Sequence, residues 1–599
     1  MLFPRRLPHV LSVALAALPS IKATSIPLNS TSHDDGKNGA VASESSICTD
    51  IGIEILKVGG NAADAIVAVQ LCVGVVGMYH SGIGGGGFAT VRSANGSYEF
   101  IDFREMAPAA AFETMYSPPL SNSDASLYGG LASGVPGELR GLEHIHTKYG
   151  VLPWKQVVLP AVKVARYGFN VTADLVRYMA SSTTSYDFLT YDETWAIDFA
   201  PNGTRVKLGD LFTRKRYANT LESIAEYGPD AFYTGAIANA TIVALQKSNG
   251  TMELSDLKNY TIESRVPSNI TYRGFKIHSG TAPSSGAVVC SVLNIVEGYD
   301  MSSPSQLNFS THYLDEAMRF AYGQRTLLGD PTFLPNLTSY QQEMLSEDTA
   351  VEIRSQIEKY HTLNVSAYNP ENYGILSDDG TSASVAADKS GLTIAMTSTI
   401  NTLFGSRLMV PETGVIMNNE MNGKIFDSNY VFVFPHHSNN SLDFSIPNTT
   451  NAFGYAPAPA NFIQPFKRPL SSISPTIVEY PNGTVYIAHA SAGGSRIITE
   501  VIQHLWHVLD QNMTSAESLR QPRLHDQLSP NNVYFEYGSD TFGIEGYSNE
   551  TTAFFEEIGA TISFVAVGST TAQALRRLGN GTFEAAGEPR QLNSAGYTI

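Results

Sequence analysis

The chain has 599 residues, 43% of them hydrophobic and 16% charged, with a formal net charge of −18. This is the composition of a folded globular protein, long enough for one very large core or several ordinary ones. The acidic balance, spread along the chain, argues against a nucleic-acid binder, which needs a basic face against phosphates.

At the start of the chain, Arg5 and Arg6 precede the apolar run VLSVALAALPSI, and small residues surround Ala23. That is the pattern of a secretory signal peptide over residues 1–23, and the run falls short of the roughly 20 residues that a membrane span needs. Sequons at Asn95, Asn202, Asn336 and Asn580, among others, agree with N-glycosylation in the secretory pathway. The expected destination is extracellular, vacuolar or the cell surface. Residues 43–76 read as two helices, the first stopped at Gly59-Gly60 and the second capped by Asn61. Three cysteines are too few for a disulfide scaffold or a zinc site. Cys48 and Cys72 fall one on each of those helices, where an oxidising compartment lets them pair. Cys290, in the apolar helical stretch GAVVCSVLNIV, reads as a buried thiol and not a nucleophile.

HSGIGGGGFATV then leads into a β run through DFREMAP. The four glycines lack the Lys-Ser/Thr of a phosphate loop and open a strand instead of a helix, so they suit backbone passing close to a ligand or another strand. A helical region spans residues 134–247, and ITYRGFKIHSG (270–280) is a hairpin followed by helices. Past residue 380 alternating apolar strands take over, in TIAMTSTINTLFG, TIVEYPNGTVYIAHA and ATISFVAV. The helix-rich and strand-rich parts stand equally for two domains or for one layered body whose sheets draw on both.

By itself LSDDGTSASVAAD (376–388) is a turn followed by a short strand. In company with other segments it means more. SGIGGGGF with DFREMAP, Gly380-Thr381, TSTIN with FGS (397–406), and KRPLSSISPTIV with ASAGGSR (467–496) together resemble the γ-glutamyltranspeptidases. SGVPGELRG and QPRLHDQL extend the resemblance over nearly the whole chain.

The resemblance implies an N-terminal-nucleophile hydrolase with an α/β fold, a four-layer αββα sandwich built jointly from two fragments. It implies a large subunit, 24–380, and a small subunit, 381–599, cut apart at Gly380–Thr381 by the chain itself and remaining together as a heterodimer. Thr381 is then the nucleophile, and its freed α-amine, with an ordinary pKa of about 8, is the adjacent base that a threonine hydroxyl needs. By the same resemblance Thr399 holds the nucleophile's site, and Gly493 and Gly494 supply N–H groups to the oxyanion. Arg104 clamps the α-carboxylate of a glutamyl group with help from Ser471 and Ser472, and Asn401, Glu420 and Asp443 receive its α-ammonium. The implied donor is glutathione or another γ-glutamyl amide. Water, an amino acid or a dipeptide is the acceptor, and no metal or organic cofactor takes part.

Two departures stand out. The position two after the nucleophile is Ala383, where family members often have histidine, which implies slower maturation. After NNEM the chain runs through Gly423 to Leu442 before the Asp443-Phe444 pair that family members place directly there. The insert reads either as a surface loop at the pocket mouth, tolerated thermodynamically, or as a translated intron, since GGTAAG encodes Gly-Lys and begins like a splice donor. Two other functions remain open on the sequence: a related acylase of the same superfamily, and an unprocessed, inactive secreted glycoprotein.

Overall fold

A computed structural model of the chain describes residues 36–117, 123–374, 380–422, 444–447 and 455–599. The signal-peptide segment, the 423–442 insert and Asp443 lie outside these residues.

Two antiparallel sheets form the centre. The seven-stranded sheet runs, in spatial order, Ala595–Thr598, Gly39–Ser43, Ser382–Asp388, Thr393–Thr399, Gly86–Arg92, Tyr98–Phe103, Glu263–Arg265. The six-stranded sheet runs Phe583–Ala586, Thr571–Arg577, Val485–Ala492, Thr476–Glu479, Phe275–Ser279, Ser268–Tyr272. Both take strands from before and after residue 380, so the change in texture there marks no boundary between sheets. Ile562–Val565, from ATISFVAV, instead pairs parallel with Val533–Glu536 in a separate three-stranded sheet.

The period of two along each strand sorts side chains into layers. Ala383, Val385 and Ala387 of one sheet meet Ile477, Ala488, Ala490, Ala492 and Leu575 of the other in a thin apolar seam. The outer face of the seven-stranded sheet packs under helices that include Ala62–Val76, Glu138–Tyr149 and Trp154–Tyr167. The outer face of the six-stranded sheet packs under Gly286–Val296, Leu307–Arg325 and Arg496–Leu509. The order is helix, sheet, sheet, helix: the four-layer sandwich expected.

Ala62–Val76 is buried along its whole length, as an all-round apolar helix must be. Asn61 caps it by accepting from the Ala63 and Asp64 N–H groups, and Asp64 accepts the Asn61 N–H in return. The Asp64 carboxylate also takes the N–H groups of Val151 and Leu152, so the same cap anchors the entry to the next helix layer. A disulfide joins Cys48, on helix Ser46–Lys57, to Cys72. Cys290 is a free, buried thiol whose pKa burial pushes up to about 12.

Between the helices and the seven-stranded sheet lies a chain of hydrogen bonds. Gln70 Nε2 donates to Ser81 Oγ (2.8 Å), Ser81 meets Ser398 (2.8 Å), and Ser398 Oγ donates to Glu138 Oε2 (2.7 Å). When Glu138 is ionised the Ser398 hydrogen goes to it, and Ser81 then supplies the hydrogen between the two serines. Burial pushes the Glu138 carboxyl up to about 8, and hydroxyl and amide donors moderate that rise only in part. The folded state therefore holds this proton where the unfolded chain, with a carboxyl near 4.3, has released it. Its contribution to stability is complete below about pH 4.3 and is lost as pH rises through about 8, by a few kcal/mol in all. Glu138→Gln removes that loss. In thermal unfolding followed across pH, the variant melts above the wild type at pH 8.5, and the difference closes towards pH 5.

Candidate active site

The bond between Gly380 and Thr381 sits where the chain enters strand Ser382–Asp388, against the end of its neighbour Thr393–Thr399. Three hydrogen bonds converge on it. The Asn401 N–H donates to Thr399 Oγ1 (2.7 Å), and Thr399 Oγ1 donates to the Gly380 carbonyl (2.7 Å). The Gly493 N–H donates to Thr381 Oγ1 (2.9 Å). The first bond fixes the direction of the second: with its oxygen occupied by an N–H, the Thr399 hydroxyl points its hydrogen at the carbonyl. A donor on that carbonyl draws electron density from its carbon, and an N–H on the Thr381 oxygen stabilises negative charge growing there.

Close packing makes this arrangement possible and dictates glycine around it. Gly380 has φ +79°, and a Cβ on it would stand 2.3 Å from the Asn401 carbonyl oxygen. Asn401 itself takes φ +71°, a conformation asparagine tolerates better than most residues. A Cβ on Gly493, at φ +126°, would stand 2.4 Å from the Ser569 carbonyl oxygen. Gly494 follows at φ +64°, and its carbonyl accepts from Ile497 at the start of helix Arg496–Leu509. In the four-glycine run, a Cβ on Gly85 would lie 1.9 Å from the Thr399 carbonyl oxygen and one on Gly87 2.2 Å from that of Thr397. The run thus lets the backbone press against the strand that ends in Thr399, one of the two uses expected of it.

A buried charge cluster lies on the DFREM turn. Arg104 Nη2 is 2.7 Å from Glu420 Oε2, and Arg104 Nη1 is 3.6 Å from Glu105 Oε2. All three side chains are almost fully buried. Burial, reinforced by the Glu420 charge, holds the Glu105 carboxyl well above the usual range even beside Arg104. Asn418 ties the surrounding loops together. Its Oδ1 accepts from Gly134 and Glu420 N–H, and its Nδ2 donates to the Gly84 and Gly134 carbonyls, all at 2.8–3.0 Å. Asn401 Nδ2 donates to the Asn419 carbonyl (3.1 Å), so the TSTIN and NNEM segments are joined.

Ser471 and Ser472 are wholly buried. Their loop lies beside the DFREMAP loop: Ala107 N–H donates to the Lys467 carbonyl (2.9 Å), and Phe466 N–H to that of Ala107 (3.0 Å). Ile473 N–H donates to Ser471 Oγ (3.2 Å), and Arg325 Nη2 to Ser472 Oγ (3.0 Å). Phe444 N–H donates to the Asn422 carbonyl (3.2 Å), so the chain on the two sides of residues 423–443 meets. Ala383 faces the seam between the sheets, within a few residues of the bond but on the apolar side of its strand.

Sequence reasoning missed Glu105, Asn418, Ser285 and Arg325. Glu105 and Asn418 lie inside the DFREM and NNEM motifs, near Arg104 and Glu420. Arg325 ends a long helix in AYGQRTLLGDP and reads there as an ordinary last-turn cation.

The described residues contain one group with closely spaced metal-ligating atoms: His489, Glu500 and His504, within 4.8 Å of one another. The two imidazoles are stacked, 4.0 Å apart with 7° between planes, so their in-plane lone pairs run side by side and do not converge. His489 Nε2 bonds to Glu500 (2.8 Å), the nitrogens of His504 face the Ser515 and Ser518 hydroxyls, and Arg523 stands 3.4 Å from Glu500. The geometry is that of a buried hydrogen-bonded charge cluster.

The glutathione hydrolase proenzyme of Arthroderma benhamiae is 48% identical over 597 residues, covering 97% of this chain and 96% of that protein. The glutathione hydrolase of Aspergillus flavus is 44% identical over 577 residues, covering 96% and 91%. The crystal structure of cephalosporin acylase from Bacillus halodurans shares the fold at a TM-score of 0.78 and 23% identity, covering 94% of this chain and 96% of that one. The gamma-glutamyltranspeptidase family model matches residues 48–598, and the chain belongs to that family.

Proposed function

We propose that this protein is made as an inactive single chain, cuts itself between Gly380 and Thr381, and then hydrolyses or transfers the γ-glutamyl group of glutathione and related amides. The observation that carries this reading is the directed chain from the Asn401 N–H through the Thr399 hydroxyl to the Gly380 carbonyl, with the Gly493 N–H on the Thr381 oxygen.

In the first reaction Thr381 Oγ attacks the Gly380 carbonyl carbon, and Thr399 stabilises the oxyanion that forms. The C–N bond breaks, the nitrogen takes up the proton lost by the hydroxyl, and Gly380 is left as an ester on Thr381. Water hydrolyses the ester, releasing the Gly380 carboxylate and restoring the hydroxyl beside a free α-amine. That amine is the general base an uncut amide cannot be. In turnover Thr381 attacks the γ-carbonyl of the donor, and Gly493 and Gly494 serve the oxyanion. The amine portion leaves with a proton, and water or an amino acid or dipeptide takes the γ-glutamyl group from the ester.

The Arg104–Glu420 pair supports an α-amino-acid head group. A zwitterion carries both charges of the pair, so its carboxylate answers Arg104 and its ammonium answers Glu420 without leaving either buried charge alone. In this reading Ser471 and Ser472 add donors to the carboxylate, and Asn401 and Asp443 add acceptors to the ammonium. The fragments are 24–380 and 381–599, joined as a heterodimer through the interleaved sheets. Entry into the secretory pathway with N-glycans completes the proposal: Asn95, Asn202, Asn336 and Asn580 are all exposed. No helix among the described residues is long and apolar enough to cross a membrane.

Denaturing electrophoresis with N-terminal sequencing of the deglycosylated protein tests the cut. Two fragments are expected, the smaller beginning Thr-Ser-Ala-Ser. Thr381→Ala stays one chain, and Thr399→Ala cleaves about 100-fold more slowly, having lost one oxyanion donor. A wild type that remains a single chain sinks the proposal. On the processed enzyme, kcat/KM for γ-glutamyl-p-nitroanilide exceeds that for glutaryl-p-nitroanilide, which lacks the ammonium, by at least about 100-fold. Equal rates would point to an acylase instead.

A further inference from the structure

Arg325 is the last residue of helix Leu307–Arg325 and is 2% exposed. A guanidinium is costly to bury, and it persists in a fold only when its donors are used with good geometry. Two of its hydrogen bonds go to serine hydroxyls: Nε to Ser285 Oγ (2.9 Å) and Nη2 to Ser472 Oγ (3.0 Å). Ser285 passes its own hydrogen to the Ser471 carbonyl (2.6 Å). One arginine therefore governs both members of the serine pair, the first through its backbone and the second through its hydroxyl.

The direction of these bonds matters. A serine oxygen that accepts from a cation must send its single hydrogen elsewhere, and the cation polarises that O–H bond. Ser472 is thereby made a donor pointed away from Arg325. Arg325, Gly374 and Leu470, which precedes Ser471, line one small crevice. On the same helix Tyr322 donates to the Ser495 carbonyl (2.6 Å), immediately after the double glycine. The helix end thus ties the serine pair to the turn that carries the Gly493 N–H.

We infer that Arg325 is a positioning residue for recognition of the donor's α-carboxylate: it aims and polarises the Ser472 hydroxyl and, through Ser285, fixes the Ser471 backbone. This rests on the γ-glutamyl donor proposed above. It adds a cation that acts on the carboxylate through a hydroxyl. A carboxylate gains from it, whereas a neutral group of the same shape gains little.

The test uses processed wild type, Arg325→Gln, Arg325→Lys and Ser285→Ala with two donors, γ-glutamyl-p-nitroanilide and its α-carboxamide analogue. In Arg325→Gln, KM for the carboxylate donor rises about tenfold or more while kcat changes less than about threefold. The preference for carboxylate over carboxamide, as a ratio of kcat/KM, falls by a similar factor. Arg325→Lys restores part of that preference, and Ser285→Ala weakens it less than Arg325→Gln does. In a Ser472→Ala background, Arg325→Gln adds less than it costs the wild type, because only the arm through Ser285 to Ser471 remains. A loss shared equally by both donors, or a fall in kcat at unchanged KM, overturns the assignment while the wild type's γ-glutamyl activity stands. Failure of every variant to mature overturns it too, by making Arg325 a folding residue. A wild type inactive on γ-glutamyl-p-nitroanilide overturns the parent reading together with the inference.

Discussion

The hydrogen bond from the Thr399 hydroxyl to the Gly380 carbonyl is the contact around which the molecule is arranged. It needs a strand end, Thr399, held against a chain entry, Thr381, and that juxtaposition is a matter of sheet register. Ser382 is opposite Ser398, so the residues beyond each, Thr381 and Thr399, fall beside one another at the mouth of the sheet. On the other flank Thr399 is opposite Gly86, and glycines 84 to 87 let that flank close in without side chains. The Gly493 N–H that serves the Thr381 oxygen is brought from the second sheet, at the end of strand Val485–Ala492, and that sheet approaches closely because the seam between the sheets is built largely of alanine.

Charge is handled by pairing and by protonation. Arg104 is buried against Glu420, while Glu105 beside them is pushed towards its neutral form. Glu138 lies further back, held by Ser398 one residue from Thr399. Hydroxyl groups do most of the directing in both places. Thr399 accepts from Asn401 and gives to Gly380, Ser398 gives to Glu138, and Ser285 accepts from Arg325 and gives to Ser471. A hydroxyl with one hydrogen and an occupied oxygen has a single outcome for its donor, so these residues transmit direction across the fold. They are small enough to do so inside a closely packed interior.

The fold follows from patterns that local physics makes readable. The cap at Asn61, the buried helix after it, the hairpin at 268–279 and the alternating strands after 380 all form as their periodicity predicts. The disulfide between Cys48 and Cys72 joins the two successive helices read from the sequence. ATISFVAV shows the limit of this reading: its strand character was legible, but its membership of a separate sheet was not. Alternation reports that a segment has two faces and carries no information about which neighbour it will pair with.

By itself, then, the sequence determined the chemistry on offer: a Gly-Thr bond ahead of a strand, a DFREM turn, a serine pair and a double glycine, in the order of one family. Tertiary structure alone decided how these meet. Whether the change at residue 380 separated two domains was settled only by sheets that each draw strands from both parts. That Glu420 answers Arg104, and that Arg325 stands behind Ser472, depends on contacts between positions hundreds or more than a hundred residues apart. Local propensity acts over a few residues, while such contacts are chosen by the burial of whole layers. A lone arginine at a helix end therefore looks ordinary until the layer it closes is known.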